Sequence, residues 1–142
     1  MIIMKVNKEN IKNYIPQREP FIMIDSLVDA SEFGFKSEFI IASTNLFLEN
    51  GVLSESSLVE NVAQTCAAGF GYINSLIADA EPRLGFIGAI TKLTNFNYAA
   101  LNDKIETSVS ILNTFENIHL IQGTCISNGE KLLECQMKIV LA

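Results

Sequence analysis

Tryptophan is absent from this sequence, histidine occurs once, and basic residues are few: ten Lys and Arg stand against sixteen Asp and Glu. The resulting net charge of −6, with no basic cluster, repels phosphate backbones, so nucleic acid is not an expected partner. Cysteine is scarce as well. Cys66, Cys125 and Cys135 are odd in number, lack CxxC spacing and lie within apolar runs. That pattern predicts reduced thiols packed as small hydrophobes and argues against a disulfide or a zinc site; neither a metal nor a cofactor is expected. No stretch approaches the ~20 apolar residues that a membrane helix needs. The opening MIIMKVNKENIKNY is too short and too polar for a signal peptide, and the expected location is cytoplasmic. Repeats, low-complexity tracts and Pro/Gly/Ser linkers are also missing, so residues 1–142 are expected to form a single domain.

What is present is apolar. Hydrophobic residues make up 49% of the chain and charged residues 18%, which points to a surface covered by another copy or by a lipid-like ligand. A short amphipathic segment from Lys8 to Tyr14 ends before Pro16, and the run Phe21-Ile22-Met23-Ile24 reads as a buried strand closed by Asp25. After Gly34, the alternation over Phe35–Ile41 predicts a half-buried strand, followed by a loop from Ala42 to about Ser56.

The segment Leu58–Ile77 leaves only a narrow polar stripe of Asn61, Gln64, Thr65 and Ser75, which predicts a long helix buried almost all round. Beyond Pro82 the period changes to two, through Leu84–Lys92, Ile105–Leu112, Ile118–Ile126 and Leu132–Leu141. In the last of these Leu133, Cys135, Met137, Ile139 and Leu141 share one face. Asn128-Gly129 between the final two strands signals a type I′ hairpin, because both turn positions need positive φ. One buried helix followed by an antiparallel meander gives an α+β domain whose sheet wraps around the helix, the hot-dog arrangement.

Glu60 is the first candidate for chemistry, and it has two readings. Ser57-Leu58-Val59-Glu60 fits a capping box, in which the glutamate only closes the helix start. Alternatively, a carboxylate in the first turn of an apolar helix is partly desolvated, which raises its pKa and suits it to acid–base work. Gln64, four residues on, either orients Glu60 or belongs to the polar stripe. The sole histidine, His119, falls within a strand, where a structural role is the simpler reading; a Cys66–His119 nucleophile pair is the sharper alternative.

The segment Tyr14-Ile15-Pro16-Gln17-Arg18-Glu19-Pro20-Phe21-Ile22-Met23-Ile24-Asp25 resembles the opening of the 3-hydroxyacyl-[acyl-carrier-protein] dehydratases of bacterial fatty-acid synthesis, typically Leu-Pro-His-Arg-Tyr-Pro-Phe-Leu-Leu-Val-Asp. Leu58-Val59-Glu60-Asn61-Val62-Ala63-Gln64 is similar to that family's central-helix motif, a glutamate followed by Ala-Leu-Ala-Gln. Asn128-Gly129-Glu130 leading into a strand with Glu134 matches its tail.

The resemblance spans nearly the whole chain. It implies a hot-dog fold, a homodimer, a heterodimer with a paralogue or a higher oligomer, and an acyl thioester on acyl carrier protein or coenzyme A as ligand. It further implies that Glu60 is the catalytic carboxylate, with Gln64, Leu46, Phe47, Ser56 and Ser57 around the substrate. Arg83, Lys92 and Lys104 are the candidates for a basic patch that would dock an acidic carrier protein.

Three departures matter. The family's base is a histidine in a Gly-His-Phe-Pro-Gly loop, and counting back fourteen residues from Glu60 places Leu46 there, in Asn45-Leu46-Phe47-Leu48-Glu49. Gln17 replaces the opening motif's histidine, and Glu55 replaces a glycine just before the helix. Leucine accepts no proton. Three functions therefore stand side by side: an acyl-thioester-binding dehydratase homologue in which another group replaces the histidine, a non-catalytic partner subunit of a dehydratase, and a hot-dog thioesterase using Glu60.

Overall fold

The computed structural model describes residues 4–142. After a 3-10 turn at Ile11–Asn13 come strands β1 (Ser26–Ser31) and β2 (Gly34–Ile40), the two-residue strands β3 (Leu48–Glu49) and β4 (Val52–Leu53), and helix α1 (Glu55–Ser75). Four long strands follow: β5 (Gly85–Asn95), β6 (Lys104–Phe115), β7 (Ile118–Ser127) and β8 (Glu130–Leu141). Six strands form one antiparallel sheet in the order β1-β2-β6-β7-β8-β5, with α1 laid across one face. This is the hot-dog fold.

Period-two patterning decides which face the helix covers. Phe35, Phe39, Ile105, Val109, Ile121, Cys125, Leu133, Cys135 and Met137 point inward and are buried with Leu58, Val62 and Cys66 of α1. Two glycines set how closely helix and sheet approach. A Cβ at Gly123 would lie 2.4 Å from a Val62 methyl, and one at Gly69 would lie 2.2 Å from the Phe35 ring. Neither position has room for a side chain. Asn128 and Gly129, at φ 53° and 77°, make the expected tight turn between β7 and β8.

The structure corrects three expectations. The run 21–24 is not a strand: Met23 and Ile24 are fully buried, but the backbone of Met23 is held by side chains of α1 and not by a neighbouring strand. The first true strand is β1, hidden in the sequence because SLVDAS is polar and carries an irregularity between Leu27 and Asp29. The helix begins at Glu55, three residues earlier than its apolar pattern, and ends at Ser75.

The strand expected over Leu84–Lys92 is present as β5, but residues 85–92 are all exposed despite their alternation. As the edge strand it touches α1 only slightly, and of its hydrophobic residues Leu93 alone packs against the core.

The polar stripe of the helix is also inverted relative to simple amphipathic reasoning. Asn61, Gln64 and Thr65 are buried, while Val59, Ala63, Ala67 and Phe70 line a half-buried flank. The buried stripe is a hydrogen-bonding strip. Asn61 donates to Met23 O and accepts from the Thr107 hydroxyl, and Thr65 donates to Asn61 O (2.8 Å) and shares a 2.7 Å bond with Ser37. Such groups are costly to bury unpaired and specify one register when paired.

Candidate active site

Glu60 sits half-buried in the second turn of α1, at a pocket of about 320 Å³ that opens to solvent and is lined by Phe21, Phe47, Ser56, Ser57 and Glu60 itself. The capping-box reading is overturned. Ser54 is the N-cap residue, without a side-chain cap bond, and its hydroxyl bonds Ser56 (3.0 Å) and Ser57 (2.8 Å). Glu60 reaches forward, not back: its carboxylate accepts from the Gln64 amide at 2.9 Å.

Gln64 explains how one carboxylate is fixed in place. Its Nε2 donates both to Glu60 and to Phe21 O (2.9 Å), and its Oε1 accepts from Met23 N–H (2.6 Å). The segment 21–23 is thereby tied to the helix one turn beyond Glu60, and Phe21 is set in the lining of the pocket. Gln64 itself is fully buried and does not line the pocket.

Of the site residues expected from the sequence, Glu60, Phe47, Ser56 and Ser57 come together, with Gln64 behind them. Leu46 does not join them: it is 55% exposed and lies outside the pocket lining. Phe21 was missed as a lining residue because the apolar run to which it belongs reads as pure core. Asn45 shapes the loop, accepting from Phe47 N–H (2.8 Å) and donating to the Met23 sulfur (3.4 Å).

His119 lies elsewhere. Its ring packs 4.6 Å from that of Phe70 and its Nδ1 bonds the Thr114 hydroxyl at 2.9 Å. Phe70 is ten residues beyond Glu60, about 15 Å along the helix. Burial, then the positive charge of Arg83, pushes the His119 pKa down. It makes no described bond to Cys66, whose thiol burial drives far above its ordinary range; a protonated, enclosed thiol is no nucleophile. The Cys125 and Cys135 thiols are pushed up by burial to about 12 and about 11, and all three cysteines are free and buried.

The three basic candidates do not gather either. Lys104 pairs with Glu38 (3.2 Å), near the start of β8 in register, Lys92 sits in the β5 irregularity opposite the middle of β8, and Arg83 donates to Leu141 O and Ala142 O at the far end of that strand. Among the described residues no cluster of His, Cys, Asp or Glu has the arrangement of a metal site, and no helix is long and apolar enough to cross a membrane.

One long helix laid across a six-stranded antiparallel sheet, with a carboxylate held by an amide in the helix's second turn, defines a hot-dog protein with a candidate acid–base group. Residues 9–141 match the ApeP-like family, described as ApeP dehydratase, and the chain belongs to that family.

Among solved structures it is similar to the dehydratase heterocomplex ApeI:P from Xenorhabdus doucetiae, with a TM-score of 0.84 at 14% identity over 93% of this chain and 90% of that one. It also resembles the sigma28-regulated virulence protein Cj0977 from Campylobacter jejuni (TM-score 0.69, 12% identity, 95% and 88% covered). A third likeness is to a hypothetical thioesterase protein with coenzyme A from Streptococcus pneumoniae (0.67, 7%, 82% and 86%). At these identities the likeness is one of fold. No curated protein matches the sequence.

Proposed function

We propose that this chain is an acyl-thioester-binding subunit that places Glu60 at a dehydratase site whose base comes from a partner subunit. The observation that carries this reading is a carboxylate held by Gln64 in a pocket that contains no second titratable group. Dehydration of a 3-hydroxyacyl thioester needs a base to take the C2 proton and an acid to protonate the departing C3 hydroxyl. By resemblance to the dehydratases, Glu60 takes the acid role. Backbone N–H groups of the first turn of α1 would polarise the thioester carbonyl, an effect that the exposed Glu55 carboxylate beside them weakens.

The uncovered edge supports the need for a partner. Eight consecutive exposed residues of β5, among them Phe86, Ile87 and Ile90, are a template on which a second hot-dog chain can add its own strand. In a homodimer Leu46 would stand in both loops, so neither site would gain a base. A paralogue that keeps the histidine supplies it. The ApeI:P relative, a dehydratase heterocomplex, fits this reading.

A second reading, thioester hydrolysis by a single carboxylate, is favoured by the pocket's opening to water. One experiment separates them: incubation with 3-hydroxyacyl and saturated acyl thioesters, with the chain alone and mixed with a histidine-bearing hot-dog dehydratase, following enoyl product and free thiol by mass spectrometry. The expected result is enoyl formation that rises on mixing and falls at least tenfold with Glu60→Gln, about 1.4 kcal/mol of transition-state stabilisation. Thiol release by the chain alone would instead establish the hydrolase. Unchanged turnover in the Glu60→Gln mixture would remove Glu60 from the mechanism.

A further inference from the structure

The outer face of the sheet, turned away from α1, should be polar, and over most of its rows it is: Lys36, Ser108, Thr124 and Glu134 follow one another across β2, β6, β7 and β8. At one end the pattern reverses. The strand register sets Phe115 beside Ile118, Ile118 beside Val140, and Val140 beside Phe86, an apolar row that crosses β6, β7, β8 and β5. Their inward neighbours Thr114, His119, Ile139 and Ile87 occupy the opposite face, so the row belongs to the outside. Leu112 and Leu120 widen it. Phe115 is 70% exposed, Phe86 53% and Leu112 50%, and the other three are half-buried.

With about 200 Å² for a fully exposed aromatic ring, this patch presents roughly 450 Å² of apolar surface, in the range where a patch on a protein surface usually has a function. It is four strands wide, about 19 Å, and neither described pocket falls within it. A sheet face of this width, four strands across, suits a second sheet better than a single helix. Two such patches pressed together remove roughly 900 Å² of apolar surface, and with their polar rims reach the ~1,000 Å² that a stable interface requires.

Charge indicates the pairing. Lys138 lies one row inward of the apolar row and exposed Glu116 lies just beyond it, in the β6–β7 turn. A two-fold axis running along the row carries Lys138 of each copy to the far side of the row, the side on which Glu116 of the other copy lies one to two strands away, within reach of two long side chains.

We propose that this outer-face patch is where a second copy of the chain stacks, sheet against sheet, about a two-fold axis parallel to the Phe115–Ile118–Val140–Phe86 row. The contact uses the outer face of the sheet, shares only Phe86 with the β5 strand and leaves that strand's backbone edge and the Glu60 pocket free, so a heteromer formed through β5 would be doubled by it into a larger assembly. The interface is isologous and closes on itself.

The test is the mass of the full chain by light scattering and analytical ultracentrifugation over a range of concentrations. Phe115→Asp is expected to halve the particle mass while leaving the far-UV circular dichroism unchanged, because the side chain is exposed and contributes little to the core. Glu116→Lys should shift the dissociation midpoint to at least tenfold higher concentration, and adding Lys138→Glu should restore it. Equal mass for the native chain and Phe115→Asp would overturn the proposal, as would failure of the double charge reversal to restore assembly. A native chain of unchanged mass that sediments with phosphatidylcholine vesicles, where Phe115→Asp does not, would also overturn it and assign the patch to a lipid surface. These masses do not depend on whether Glu60 is catalytic; the β5 contact is probed separately by Ile90→Asp.

Discussion

Gln64→Ala should destabilise the chain by about 3 kcal/mol, and the number follows from what the amide holds. Removing it deletes three hydrogen bonds, to Met23 N–H, Phe21 O and the Glu60 carboxylate. Met23 is fully buried, so its N–H is left with no partner and no water, a penalty of about 1–3 kcal/mol. Phe21 O is only partly enclosed and loses about 1 kcal/mol, and truncating a fully buried side chain leaves a cavity at about 24 cal/mol per Å³. Glu60 is half-exposed and recovers its bond from water.

For a chain of this size the sum corresponds to a fall of roughly 10 °C in Tm. Urea unfolding followed by circular dichroism measures it, with an unchanged m value confirming that the native fold persists. A loss below about 1 kcal/mol would refute the argument that the 21–23 segment hangs on this amide. Gln64→Glu is a useful companion: it preserves volume but replaces the amide donors by a carboxylate facing Glu60, and should be at least as damaging near neutral pH.

Other outcomes follow from the same structure. Gly123→Ala should cost about 1–3 kcal/mol by overpacking against Val62, and Val62→Ala in the same chain should recover part of it; additive losses in a thermal-melt cycle would contradict the contact. None of the three cysteines should react within minutes with a thiol reagent at pH 8 in the native chain, and all three should react in urea, because burial raises every thiol pKa. The His119 pKa is lowered on folding, so the unfolded chain binds the proton more readily. Stability is therefore full above the unfolded value of 6.5 and falls as pH drops from there toward the lowered folded value. His119→Gln should flatten that slope in melts between pH 7.5 and 5.

How much of this was legible beforehand depends on the range of the interaction. Strands β6, β7 and β8 follow from alternation, and the turn at Asn128-Gly129 follows from backbone preference, because both signals are local. The capping box failed because three serines, Ser54, Ser56 and Ser57, crowd the helix start and spacing cannot say which of them caps it; the chain turns at Ser54, so Glu60 falls a turn too far in to reach back. The polar stripe was visible, but its direction was not, since its partners Met23, Ser37 and Thr107 are remote in sequence.

The sequence by itself determined strands β2, β5, β6, β7 and β8, the long central helix, the departure at Leu46 and the motif around Glu60, all of which are matters of residue type and short spacing. The tertiary structure alone decided that Gln64 grips both Glu60 and the 21–23 segment, that His119 stands about three turns away from the site, and that β5 is left bare. Those depend on which chain segments meet across the core and which edge the single helix is too narrow to cover.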